Sequence, residues 1–161
     1  MKETYTLRYS KDLVKRAVLS YFFRKMGKGY FIAIALLSGY FVYELIDGNQ
    51  SWIIGLIGAV IGFAFIIPVA GIIGHIRIGL RKLVEMKDAT ATLTITDNCL
   101  IVQSAIGSSE ITWKTITEVW QYPDYWVMLS GGSFLMTIPQ SELDDNGRKS
   151  ILAMLEKAKI A

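Results

Sequence analysis

The sequence has little of the chemistry that most enzymes use, because it contains one histidine, His75, and one cysteine, Cys99. A single cysteine excludes an internal disulfide, and a single histidine excludes a metal site built from several histidines. His75 lies near Arg77 at the end of an apolar stretch, where we interpret it as a residue at the level of lipid headgroups. A nucleophile activated by a neighbouring histidine is therefore not expected.

Other motifs that might carry chemistry are incomplete. The "GGS" segment at 131–133 lacks the lysine, the spacing and the following helix of a phosphate-binding loop. Asp144 and Asp145 directly precede a predicted helix, where carboxylates commonly serve as caps. The sequence therefore predicts no enzyme, no cofactor and no metal site.

Charged residues are almost missing from two long stretches. Gly29–Ile46 contains only Glu44, and Trp52–Ile76 contains no Asp, Glu, Lys or Arg. A bilayer core about 30 Å thick needs on the order of 20 helical residues to cross it, and the rest of the chain is too small to bury both stretches. We therefore predict a transmembrane hairpin with spans 29–46 and 52–76. No ionisable residue lies mid-span, which argues against a pump or a channel.

Lysine and arginine are also absent from the turn between the spans, Asp47–Ser51, whereas both flanks are basic. Positive residues near a span stay on the cytoplasmic side, so we expect a multi-pass protein of the cytoplasmic membrane with both termini in the cytoplasm. The basic residues cluster where this orientation requires them, so no nucleic-acid partner is expected. The candidate contacts to anionic lipid are Lys15, Arg16, Arg24, Lys25, Arg77, Arg81 and Lys82.

Two features beside and within the spans leave alternatives open. Segment 11–28 has the pattern of a basic amphipathic helix, which would lie along an anionic leaflet or pack on the soluble domain. Ala35 and Gly39 are spaced four apart in the first span, as are Gly58 and Gly62 in the second. Such small residues let helices approach closely, either within the hairpin or in a homodimer.

Outside the spans the apolar period is two. "ETYTLRYS" before the spans alternates, and six short apolar runs after them are separated by Asp-Asn, Pro-Asp and Gly-Gly. "DDNGRKSILAMLEKAKIA" then predicts a terminal helix. The fold class is therefore an α+β membrane protein: a two-helix transmembrane hairpin plus a small antiparallel β-sheet domain closed by a C-terminal helix, in a pleckstrin-homology-like plan or another small α+β fold.

The expected organisation follows in chain order. An N-terminal strand, 1–10, joins the soluble domain by pairing of Thr4–Tyr9 with the C-terminal sheet, because an isolated strand leaves its backbone groups unpaired. The other segments are a juxtamembrane helix at 11–28, the hairpin at 29–76, a basic linker at 77–88 and the cytoplasmic domain at 89–161.

One stretch carries a resemblance to a known family. "W-x-x-I-x-x-V" (Trp113, Ile116, Val119), followed by an apolar strand and "IP" (Ile138, Pro139), resembles the C-terminal signature of YcxB-like proteins. That resemblance implies a bacterial inner-membrane protein with a two-span hairpin and a cytoplasmic PH-like domain, and it implies no biochemical activity. Many relatives have Lys or Arg after "IP", whereas this chain has Gln140.

Three of the four tryptophans, Trp113, Trp120 and Trp126, fall within twenty residues of each other. Trp113 is predicted to close one end of the sheet as a core residue. Trp120, Tyr122 and Trp126 are too large to share the same small core, so the alternative to core packing is an exposed aromatic patch. These three are the candidate partner-binding residues.

The sequence predicts a non-enzymatic binding or scaffolding module at the membrane surface. Its expected partners are anionic lipids, bound generically, and another protein. The alternative is an immunity or regulatory protein that binds a toxin or another membrane protein through its hairpin. A toxin gene beside this one in the genome would favour the alternative.

Overall fold

The computed structural model describes residues 2–160, so Met1 and Ala161, at the ends of the expected segments 1–10 and 89–161, lie outside it. The chain falls into two compact units, Met1–Ala17 with Ile78–Ala161, and Val18–Arg77. In order, the elements are β1 Lys2–Arg8, α1 Lys11–Ile46, α2 Trp52–Glu85, β2 Thr90–Thr96, β3 Cys99–Ser104, β4 Gly107–Thr112, β5 Glu118–Gln121, β6 Tyr125–Ser130, β7 Ser133–Pro139 and α3 Asp145–Ile160.

The first sheet is antiparallel, with the order β1-β2-β3-β4. The expected pairing of the N-terminal strand is present, although the strand is Lys2–Arg8 rather than Thr4–Tyr9: β1 pairs with β2 from Lys2↔Thr96 to Arg8↔Thr90. Along β2, Ala91, Leu93 and Ile95 are buried and the threonines between them are partly exposed. Chain segments from both sides of the two long helices therefore build one sheet.

The second sheet has the order β5-β6-β7 and is also antiparallel. A core that includes Leu93, Met128 and Ile138 contains residues from both sheets. The last helix, α3, adds Ile151 and Leu155 to this core. The expected α+β class, with antiparallel sheets and a C-terminal helix, is confirmed.

The cap expected before α3 is present at Asp144. Its Oδ1 accepts a hydrogen bond from the backbone N–H of Gly147 at 2.7 Å and one from the Tyr5 hydroxyl at 3.0 Å. The bond from Gly147 first, and the bond from Tyr5 second, hold the pKa of the Asp144 carboxyl below its usual range. The cap thus links β1 to the start of α3.

Both long helices are apolar and long enough to span a membrane, which confirms the two expected apolar helices. In α1 the backbone leaves helical geometry at Gly27, where φ is 70°, close to the expected boundary between 11–28 and the first span. By contrast, α2 continues to Glu85. Most of the segment expected as a linker, 77–88, is therefore helical.

Within the second unit, the contact between the helices differs from the expected seam of small residues. A Cβ on Gly58 would lie 3.1 Å from the ring of Phe41, so Gly58 makes room for an aromatic side chain. Gly39 and Gly62 have no such neighbour within 4 Å among the described residues. The Tyr30 hydroxyl also donates to the carbonyl of Ala64. At Gly58, the small residue therefore accommodates the Phe41 ring of the other helix and not a second small residue.

Candidate functional site

Trp113 is a structural residue, as expected. Its side chain is 4% exposed and belongs to the core shared by both sheets. The indole Nε1–H donates to the carbonyl of Thr96 at 3.0 Å, so the polar end of the buried ring is satisfied.

The three candidate partner-binding aromatics do not form one exposed surface. In the hairpin of β5 and β6, Trp120 lies opposite Val127 and Gln121 lies opposite Trp126. Directly paired residues share a face and successive residues alternate, so Trp120 and Trp126 lie on opposite faces. Trp126 is 5% exposed and packs in the core. Trp126 is thus a core residue, whereas Trp120 and Tyr122 are half-buried.

The remaining two rings belong to a different aromatic group, on the face of the second sheet that carries Val127. Tyr122 stacks on the buried Tyr125 with ring centroids 5.0 Å apart. Trp120 donates from Nε1 to the carboxylate of Glu118 at 2.9 Å. We call Trp120, Tyr122 and Tyr125 the aromatic face. Tyr125 was not singled out from the sequence, because only the register across the Pro-Asp turn brings it to this side.

The start of α1 contributes a cation to this face. The Arg16 guanidinium lies 5.9 Å from the centre of the Tyr125 ring and pairs with Asp124 at 2.6 Å. It also pairs with Asp12 at 2.8 Å. The hydrogen bond with Asp124 raises the pKa of Arg16. Arg16, a candidate lipid contact, is therefore already paired with carboxylates of the sheet-containing unit.

The other candidate lipid contacts divide between the two units. Lys15, Arg81 and Lys82 belong to the unit that contains the sheets, and Arg81 pairs with Glu85 at 2.9 Å. Arg24, Lys25 and Arg77 belong to the unit Val18–Arg77. All seven candidate cations are exposed, and Arg16 and Arg81 share their charge with carboxylates.

Sequence reasoning missed an open cleft in the sheet-containing unit. Its walls come from the end of β1, the start of α1, the turn between β5 and β6, the end of β7 and the start of α3. Its polar lining includes Arg8, Arg16, Asp124, Gln140, Ser141 and Arg148. These residues come from four separate parts of the chain, so no local sequence motif predicts the cleft. Gln140 in this lining is only 7% exposed.

Within the described residues 2–160 we find no group of three or more His, Cys, Asp or Glu side chains that could hold a metal ion. Cys99 is buried, and its thiol donates to Glu110 at 3.1 Å.

Comparison with known proteins gives one match. No curated protein and no solved structure matches this chain. A family model described as "YcxB-like protein" matches residues 95–154, from the end of β2 into α3. The signature residues, Trp113, Ile116, Val119, Ile138 and Pro139, all lie inside this range, so the resemblance is confirmed there: the C-terminal region of this chain is similar to the YcxB-like family.

Proposed function

We propose that this chain is a non-enzymatic membrane protein whose soluble unit is a binding module held at the inner face of the bacterial cytoplasmic membrane. The observation that carries the proposal is the pairing of β1 with β2. This pairing makes one unit from the chain that precedes the apolar helices and the chain that follows them. A module connected to the hairpin at both ends stays at the membrane surface with both termini on one side, and the basic flanks of the spans favour the cytoplasmic side.

The fold of the module supports a pleckstrin-homology-like plan. Four antiparallel strands, then three, then a C-terminal helix follow each other along the chain. Small antiparallel folds of this kind present binding residues on loops and strand faces over a rigid core.

The aromatic face is the surface we assign to a protein partner. Trp120 and Tyr122 are half-buried beside the buried Tyr125, so their rings are held in place before binding. Tyrosine and tryptophan are enriched at interfaces because they offer a large apolar area and a polar atom. Trp126 is left out of this proposal.

Contact with anionic lipid is generic in this proposal. Cations such as Lys15, Arg24, Lys25, Arg77 and Lys82 are each worth about 1 kcal/mol near an anionic leaflet, and their attraction falls off within a Debye length. Binding through these residues should weaken steadily as salt is raised.

Site-specific photocrosslinking in living cells tests the partner surface. A photoreactive amino acid replaces Trp120 in one variant and the exposed Ile106, in the turn between β3 and β4, in the control variant. We expect one discrete protein adduct from position 120 and none from position 106, and a Tyr122→Ala change should weaken the adduct. The same adducts from both positions, or none from position 120, would count against a partner on the aromatic face.

A second candidate is an immunity or regulatory role through the hairpin. The observation in its favour is the exposure of the apolar helices. In the most apolar 18-residue stretch of each helix, 0% is buried in α1 and 6% in α2. Replacing residues 29–76 with an unrelated two-span hairpin separates the candidates. A binding module keeps its adduct from position 120, whereas an immunity protein loses protection against its toxin.

A further inference from the structure

The cleft lined by Arg8, Gln140 and Arg148 has a volume of about 740 Å³ and lies wholly within the sheet-containing unit. Pockets for small molecules typically range from about 300 to 1,000 Å³. The cleft is therefore large enough for an organic molecule and not only for a small ion.

Two nitrogen atoms in the cleft lining lack the partners that buried donors normally have. Gln140 is 7% exposed, and its Nε2 has no hydrogen-bond partner among the described residues. The Nε of Arg148 is also buried and is likewise unpaired within residues 2–160. Buried polar groups are nearly always hydrogen-bonded, because leaving them unpaired costs their full desolvation. Both donors therefore lack an acceptor among residues 2–160, and a bound ligand could supply it.

The Arg148 side chain and the Gln140 backbone are fixed in place by other bonds. Arg148 donates from Nη2 to the carbonyls of Gln140 and Leu143, at 3.1 and 2.9 Å, and from Nη1 to Asp145 at 3.3 Å. The backbone N–H of Gln140 donates to the carbonyl of Asp124 at 2.9 Å. The Arg148 donor is thus held in place, and the Gln140 side chain extends from a fixed backbone position.

One of the positive charges that line the cleft has no ion pair among the described residues. Of the three arginines, Arg16 pairs with Asp124 at 2.6 Å and with Asp12 at 2.8 Å, and Arg148 pairs with Asp145 at 3.3 Å. Arg8 is exposed, and the structure of residues 2–160 gives its side chain no ion pair.

Hydroxyl groups add further donors. Ser10 and Ser141 also line the cleft. Ser10 Oγ accepts from the backbone N–H of Leu13 at 3.1 Å, which leaves its own O–H to donate. The lining therefore offers donors from several directions and little acceptor capacity, which is the pattern that recognises an oxyanion.

We propose that this cleft binds a phosphate-bearing group, either on a lipid headgroup or on a soluble phosphate ester. Arg8 supplies the uncompensated charge, and the N–H groups of Gln140 and Arg148 donate to the phosphate oxygens. A tetrahedral phosphate has several terminal oxygens for donors that come from separate elements, whereas a planar carboxylate is satisfied by one arginine fork. This site borders the partner surface, because Arg16 lines the cleft and lies beside the Tyr125 ring. It adds a specific phosphate contact to the generic attraction for anionic lipid.

The test uses the full chain in detergent and radiolabelled glycerol 3-phosphate in equilibrium dialysis. Arg8→Gln removes the free charge and Gln140→Leu removes the amide donor at similar size. Lys149→Gln removes an exposed charge next to Arg148 that does not line the cleft, and serves as the matched control. We expect each cleft variant to weaken binding about tenfold or more, as loss of one charge-assisted hydrogen bond implies. The control should stay within about twofold of the unchanged chain, as a surface substitution does.

A second arm distinguishes the source of the phosphate. Native mass spectrometry counts phosphatidic acid and phosphatidylglycerol retained by the same variants. Retention of phosphatidic acid that Arg8→Gln abolishes, with no binding of glycerol 3-phosphate, identifies a headgroup, and the reverse result identifies a soluble ester. Equal loss in the Lys149→Gln control, or binding no stronger than that of acetate at equal ionic strength, would overturn the proposal. If Gln140→Leu fails to fold, the exposed Arg8→Gln variant still decides.

Discussion

Two strands of the sheet-containing unit, β2 and β6, are buried in different ways. In β2, Leu93 and Ile95 are buried while the intervening threonines are half exposed. In β6, five consecutive residues from Tyr125 to Leu129 are all buried. A strand with one solvated face shows its orientation in its sequence, whereas a strand covered on both faces does not. This difference explains why the core-facing residues of β2 can be predicted from the sequence, whereas those of β6 cannot.

The largest expected effect comes from taking β1 away from β2. Deleting residues 2–9 removes Leu7, which is fully buried, and leaves β2 as an unprotected edge strand. Burial of Leu7 alone is worth about 1.5–3 kcal/mol, and the whole ladder of hydrogen bonds is lost with it. We expect the sheet-containing unit to unfold, measured as loss of resistance to brief proteolysis in detergent.

The matched control for this deletion is Thr6→Ala, on the exposed side of the same strand. It should keep native proteolytic resistance. A deletion variant as resistant as the unchanged chain would mean that the C-terminal segment folds without the first strand.

The next prediction separates the two tryptophans of the hairpin. Trp126→Ala should lower the free energy of unfolding by about 3–5 kcal/mol, because it empties a core position. Trp120→Ala should cost about 1 kcal/mol, since its ring is half-buried. Urea titrations read by pulse proteolysis give both values. Equal losses of unfolding free energy in the two variants would show that Trp120 and Trp126 are buried to the same extent, contrary to the register of β5 and β6.

A reciprocal exchange of valine and threonine tests the comparison of β2 with β6 directly. Val127 is fully buried on the face of β6 that does not contribute to the shared core. Val127→Thr places an unsatisfied hydroxyl there and should lower the free energy of unfolding by about 1–3 kcal/mol. Thr92→Val, on the half-exposed face of β2, should change stability by less than about 0.5 kcal/mol. A tolerated Val127→Thr change would mean that water reaches this face.

Sequence alone predicted the alternation of β2, the two apolar helices and the terminal helix, because each has a clear period or length. That Trp120 and Trp126 lie on opposite faces could not be predicted from the sequence, because it depends on which residues of β5 and β6 pair across the turn. The helical continuation to Glu85 was missed because its basic residues indicate membrane orientation and not backbone conformation. The cleft was missed because Arg8, Gln140 and Arg148 come from three separate elements.

The smallest expected effect concerns the contact between β1 and the cap of α3, which ties the strand next to β2 to the helix over the core. Asp144 accepts from Gly147 and Tyr5, and its pKa is lowered in the folded chain. A group with a depressed folded pKa stabilises the fold above its unfolded pKa, and this stabilisation is lost as pH falls through the folded value. We therefore expect part of the loss of stability in acid, below the usual aspartate range, to come from protonation of Asp144.

Asp144→Asn tests this contribution, because asparagine caps helices about as well but does not titrate. The variant should be slightly less stable than the unchanged chain at neutral pH, and the difference should shrink as pH falls. Asp145→Asn is the control, since that carboxylate contacts Arg148 at 3.3 Å and is exposed. Melting temperatures measured from neutral to acid pH give the result. A difference that stays constant as pH falls, or that appears equally in the control, would show that protonation of Asp144 does not contribute to the loss of stability in acid.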